Sequence, residues 1–141
     1  MSAILLYWED RTYHHALERI LRRAGYDVIA TDDMGYAMQV VSTIPVDLLV
    51  LEVASEQAPA LRLLGHIRAD RGCAAPAIVV SDIEDADVVG AARQLAADEF
   101  LLKRKSLLTE LLDYVDLHAS PKRAWRPEVF VPGTTLRYRP S

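Results

Sequence analysis

Residues 47–53 read DLLVLEV, a nearly unbroken apolar run. A strand with one wet face alternates apolar and polar side chains, whereas a run without alternation is expected at the centre of a parallel sheet, buried on both faces. The stretch decides the fold because the segments around it fall into alternating strands and helices. Upstream, YDVIAT (26–31) alternates and is rich in β-formers, and Ala37, Met38 and Val41 form a helical stripe ending near Pro45. Further upstream, the apolar run 4–7 feeds a helix whose positions Leu17, Ile20, Leu21 and Ala24 keep the i, i+3, i+4, i+7 spacing. Downstream, a helix over roughly 59–70 turns Leu63, Leu64 and Ile67 inward and stops at Gly72. AIVVS (77–81) reads as another buried strand, and Asp82 or Asp85 caps the helix after it, with Val88, Val89, Ala92 and Leu95 inside. EFLLK (99–103) is a fifth strand, and Leu108, Leu111, Leu112 and Val115 mark a fifth helix with Ser106 as its cap.

Five strands alternating with five helices imply parallel pairing through right-handed crossovers, hence a doubly wound α/β sheet. The pattern does not fix strand order, but the flavodoxin-like order 2-1-3-4-5 is a frequent solution at this length. The chain has 141 residues, 51% of them hydrophobic, enough for one core, so a single domain is expected. Its boundary is placed at 1–117, leaving 118–141 as a basic and aromatic C-terminal extension. The extension carries a net +4 and the body −8, within a total of −4. An acidic body argues against one that grips nucleic acid. Cys73 is the single cysteine, which excludes an internal disulfide and a CxxC motif. There is no signal-peptide pattern and no apolar run of membrane-spanning length, so a cytoplasmic protein is expected.

Chemistry in such sheets gathers where the strands end. The first strand ends at Trp8, Glu9 and Asp10, the third at Glu52, the fourth at Ser81 and the fifth at Lys103. Four landmarks, ILLYWED, RRAGYDV, VDLLVLEV, and IVVS with AADEFLLK, resemble in order and spacing a bacterial response-regulator receiver domain over residues 3–115. The resemblance implies an acidic pair after strand 1 and an Asp ending strand 3 that together hold Mg²⁺. That Asp takes a phosphoryl group from a histidine kinase, and a Ser or Thr and a Lys assist from strands 4 and 5. The physics requires them: a phosphoryl group approaching a carboxylate is repelled unless cations neutralise it, and Mg²⁺ demands oxygen ligands.

Ser81 and Lys103 match the family's hydroxyl and lysine, and Phe100 matches the aromatic position that couples to the hydroxyl. The acidic pocket is degenerate: Trp8 and Glu9 stand where the acidic pair belongs, Asp10 follows, and Glu52 occupies the phosphoacceptor position. Arg104 replaces the usual proline, so the Lys103–Arg104 bond is expected to be trans, since a cis form would cost about 2.5–4 kcal/mol. Trp8 removes an oxygen ligand and reads as an aromatic plug over the metal position. Glu52, longer by a methylene and permanently charged, has two readings. One pairs it with Lys103 and draws Ser81 inward, imitating the phosphorylated form; the other is plain charge neutralisation at the sheet edge.

His14 and His15 are neighbours on the first helix, where adjacent side chains point apart, so they read as two solvated histidines and not as a shared ion site. His66 and His118 lack a nearby ligand pattern, and Cys73 reads as a passive thiol. In the extension, VFV and LRYR flank PGTT as a candidate hairpin, packing on the domain or on a partner.

The leading expectation is a stand-alone, non-catalytic pseudo-receiver in a two-component-type pathway. It has no cofactor beyond weak Mg²⁺ and works by phosphorylation-independent contact with a protein partner, a histidine kinase or a downstream regulator. The resemblance places that contact, or a homodimer, on the helix 4, strand 5 and helix 5 face, roughly 85–115. A second reading keeps an altered site for a small ligand, cation or phosphodonor at Glu9, Asp10, Glu52, Ser81 and Lys103, favoured by a solvent-open pocket beside Trp8. A third gives the tail nucleic acid, disfavoured at only +4. No P-loop, GxSxG elbow or HExxH helix supports another enzyme class.

Overall fold

The computed structural model describes residues 3–55, 57–70, 73–103 and 107–119. Strands β1 (Ala3–Tyr7), β2 (Asp27–Thr31), β3 (Leu48–Val53), β4 (Ala77–Ser81) and β5 (Glu99–Leu102) alternate with helices α1 (His14–Arg23), α2 (Met34–Thr43), α3 (Pro59–Asp70), α4 (Ala86–Gln94) and α5 (Leu107–Ala119). All pairings are parallel and the order is β2-β1-β3-β4-β5, the flavodoxin-like arrangement. Every residue of β3 is buried, as the run DLLVLEV requires.

Period-2 alternation divides the core into two layers. Ile4, Leu6, Leu48, Val50, Ile78 and Val80 face Leu17 and Leu21 of α1 and Leu107, Leu111 and Val115 of α5. Leu5, Tyr7, Leu49, Leu51, Val53 and Val79 face α2, α3 and α4 through side chains such as Val40, Leu63, Leu64 and Val88. Counting along β3, Glu52 falls on the α1 side, and that parity decides which loop it meets.

Several boundaries differ from the sequence reading. Ala24 is exposed, because α1 stops there and Gly25 (φ 97°) takes the left-handed turn that glycine permits. The inner residues of α2 are Ala37 and Val40, with Met38 and Val41 only partly covered. Leu107 is fully buried where Leu108 and Leu112 only flank the core. Asp85, not Asp82, caps α4, accepting from the Asp87 N–H at 2.7 Å. Helix α5 runs two residues past the boundary set at 117. Gly72, Arg104, Ser106 and the candidate hairpin lie outside the described residues. No helix among the described residues is long and apolar enough to cross a membrane.

Candidate functional site

The strand order reverses at β1, between β2 on one side and β3 on the other, so the loops leaving β1 and β3 splay apart at the carboxyl edge of the sheet. Into that opening project Glu52 from β3, Lys103 just beyond β5, and the loop 8–13 between β1 and α1. Glu52 is 0% exposed. Its Oε1 accepts from the backbone N–H groups of Glu9 (2.9 Å) and Asp10 (2.8 Å), and its Oε2 accepts from Lys103 Nζ (2.5 Å). The extra methylene of Glu over Asp thus carries the carboxylate onto the β1–α1 loop, where it caps two amides that would otherwise be orphaned.

Glu9 turns the other way. One oxygen accepts from Ala54 N–H (2.7 Å) and the other from Ala60 N–H (3.1 Å), in the first turn of α3, where a negative group also complements the helix dipole. It staples the loop after β3, in which Ala58 sits at φ 45°, a conformation that costs an L-residue about 1–2 kcal/mol. Replacing Glu9 with alanine is expected to cost about 0.5–2 kcal/mol, the range for loss of a helix cap. Hydrogen exchange should quicken at the Ala54 and Ala60 amides, and unchanged protection there would count against the staple.

Asp10 Oδ1 accepts from the N–H groups of Thr12 (2.9 Å) and Tyr13 (3.3 Å), while Oδ2 lies 3.9 Å from Lys103. The Thr12 bond first, then Tyr13 and the Lys103 charge, hold its carboxyl below the usual range despite partial burial. Lys103 is the hub: besides Glu52 it reaches Asp82 at 3.3 Å and stands 4.3 Å from the centre of the Tyr13 ring. Burial pulls its ammonium down, but the hydrogen bond and charge of Glu52, with Asp82, outweigh it, and the pKa stands above the ordinary lysine value. Burial, with the carboxylates of Glu52 and Asp82, raises the Tyr13 phenol against the opposing pull of Lys103.

Ser81 is fully buried, yet its hydroxyl both donates to Ile83 O and accepts from Ile83 N–H (2.9 Å each). The expectation that Glu52 draws it inward therefore needs correcting: the hydroxyl closes its own loop. Phe100 is half-buried against the α3–α4 side of the core. Trp8 is half-buried and stacks face to face on His14, with ring centres 3.9 Å apart and planes 7° apart. The solvated-histidine reading is corrected with it: His14 is buried at 7% exposure, only His15 faces solvent, and their rings lie 4.1 Å apart. Sequence reasoning missed Asp82, Tyr13 and His14 as parts of this region. Asp82 had a signal, following Ser81 at the same strand end.

Beside Trp8 lies an open cleft of about 390 Å³ lined by Tyr7, Glu9, Asp32, Ala54, Ser55 and Pro59. Burial raises the Tyr7 phenol, and Glu9, Asp32 and Asp33 push it further against Arg62. The cleft is acidic and so disfavours a phosphate-like anion.

These groups do not fit Mg²⁺ coordination. Trp8 offers no oxygen, both oxygens of Glu9 and of Glu52 are engaged by N–H donors or Lys103, and Asp10 Oδ2 and Asp82 face the ammonium.

The Response regulator receiver domain family model matches residues 4–116. The curated protein Regulator of RpoS from Escherichia coli (strain K12) is 26% identical over 112 residues, 79% of this chain; the chain spans only about a third (33%) of that relative's length. Among solved structures, a response regulator receiver protein from Pseudomonas putida is 25% identical with a TM-score of 0.72, over 82% of this chain and 95% of that one. The response regulator TrrA from Thermotoga maritima, solved in complex with Mg²⁺-BeF, is 22% identical with a TM-score of 0.68, over 82% and 96%.

Proposed function

Since the chain belongs to the response regulator receiver domain family, we propose that it is a non-catalytic pseudo-receiver, held in one state by Glu52 and Lys103, which signals through phosphorylation-independent contact with a protein partner. One observation carries the reading: Glu52, at the position the resemblance gives to the phosphoacceptor, has both oxygens engaged, two backbone N–H groups on one and Lys103 on the other. Two donors fill both lone-pair directions of Oε1 and Lys103 takes one of the two on Oε2, so three of the four acceptor directions are occupied and the carboxylate is held back from an incoming phosphoryl group. Ser81, bonded to Ile83, is not positioned to follow one. The partner is a histidine kinase or a downstream regulator, contacted on the α4, β5 and α5 face, which also serves a homodimer. The curated relative, named as a regulator of another protein, agrees with such a role.

A second reading rests on the cleft beside Trp8, which can admit a small cation or polar ligand between Glu9 and Asp32. Amide NMR spectra recorded during addition of Mg²⁺ and then beryllofluoride test both. The pseudo-receiver should stay silent around Glu52, Ser81 and Lys103. Saturable shifts there would overturn it, and shifts confined to Trp8, Glu9, Asp32 and Ser55 would favour the cleft.

A further inference from the structure

We propose that His14, His15 and Glu18 form a binding site for a divalent late transition metal of the zinc class on the first turns of α1. One donor atom from each residue lies within 4.8 Å of the other two. The positions i and i+4 place His14 and Glu18 on one helix face. His15 lies close, its ring centre 4.1 Å from that of His14 and its plane 35° away, and turns its exposed side chain to bring a nitrogen onto the same ion.

An independent observation points to a ligand. His14 is more than nine-tenths buried, and its Nδ1 has no hydrogen-bond partner among the described residues. A buried polar atom left in that state is costly, and a metal bound at Nδ1 would satisfy it. The Trp8 stack fixes the plane of the imidazole, as a supporting shell does for a ligand. On Glu18, both bonds from Arg22 (Nε at 3.0 Å, Nη2 at 2.7 Å) fall on Oε2, and Oε1 takes neither.

Two imidazoles and one carboxylate suit Zn²⁺, Ni²⁺ or Cu²⁺ and not Mg²⁺ or Ca²⁺, which take oxygen donors. Zn²⁺ bonds of about 2.0–2.2 Å place tetrahedral ligands roughly 3.3–3.6 Å apart. The cluster must therefore contract around the fixed His14, and exposed His15 and half-buried Glu18 have the freedom to do so. Three protein ligands leave a fourth position for water or another group.

The test uses the full chain carrying Trp125→Phe, so that Trp8 is its only tryptophan, titrated with Zn²⁺ and separately with Mg²⁺. Calorimetry should give one saturable Zn²⁺ site with a matching change in Trp8 emission, and Mg²⁺ should give neither. His15→Ala, at an exposed position, should weaken Zn²⁺ binding at least tenfold, and Glu18→Gln should weaken it less. The site is overturned by absent saturable Zn²⁺ binding, by an equal response to Mg²⁺, or by a His15→Ala variant that binds Zn²⁺ as the parent does. Beryllofluoride addresses Glu52 and Zn²⁺ addresses α1, so neither result decides the other.

Discussion

Replacing Lys103 with methionine is expected to destabilise the domain by about 3–5 kcal/mol, the usual cost of removing one partner from a buried ion pair. Against a typical domain stability of about 5–15 kcal/mol this is a large fraction, visible as a fall of roughly 10–20 °C in Tm. The cost arises because Glu52 stays fully buried, keeping its two N–H donors and losing its counter-charge. Glu52→Gln should cost less, since the amide oxygen still accepts from Glu9 and Asp10, and Lys103 keeps Asp82 at 3.3 Å, a carboxylate side chain 43% exposed. The double variant should lie close to Glu52→Gln alone, and a double-mutant cycle should return a coupling above 1 kcal/mol, within the range for residues sharing one network. Additive losses would show that Glu52 and Lys103 contribute independently and do not act as a pair. The pH dependence follows from the raised pKa of Lys103. The contribution is complete below the ordinary lysine value of about 10.4 and is lost as pH rises through the higher folded-state value. Urea unfolding between neutral and strongly alkaline pH should therefore fall more steeply for the parent than for Lys103→Met, while Tyr7 and Tyr13, also raised, titrate in both.

The sheet was legible because burial leaves a compositional trace. DLLVLEV is apolar at every position but Asp47 and Glu52, and β3 is covered on both faces. The positions of Glu52 and Lys103 followed from strand ends, yet the sequence could not say what Glu52 holds. Its N–H donors belong to the backbone of residues 9 and 10, and backbone direction leaves no mark on residue type. Glu9 looked like a surviving member of an acidic pair and serves instead as a staple, because one amide of the β3–α3 loop and one of the first turn of α3 point at it. His14 was misread for a related reason. The divergence of adjacent helical side chains does not say which of them is covered, and this ring is pinned under Trp8 at the helix start.

Introducing acids at both positions, Trp8→Asp with Glu52→Asp, is expected to give a chain that binds Mg²⁺ and takes a phosphoryl group from a small phosphodonor. Glu52→Asp withdraws the carboxylate by roughly one bond length, about 1.5 Å, releasing it from the N–H groups of Glu9 and Asp10. That opens lone pairs toward Lys103, and Trp8→Asp supplies the oxygen that an indole lacks. Neither change suffices alone: with Trp8 in place the cation still lacks a ligand, and with Glu52 in place the acceptor remains capped. The gain should come with a loss of about 1–3 kcal/mol in stability, because the two freed amides need water in place of a buried carboxylate. Such an exchange of stability for activity is common at functional sites. Intact-mass measurement after exposure to the phosphodonor with Mg²⁺ reads the result directly. The parent should add no phosphoryl mass, the single variants little, and the double variant an adduct that disappears without Mg²⁺. An adduct on Glu52 of the parent would overturn the pseudo-receiver. A folded double variant that still binds no Mg²⁺ would place the block in Glu9, whose carboxylate stays committed to Ala54 and Ala60 whatever stands at positions 8 and 52.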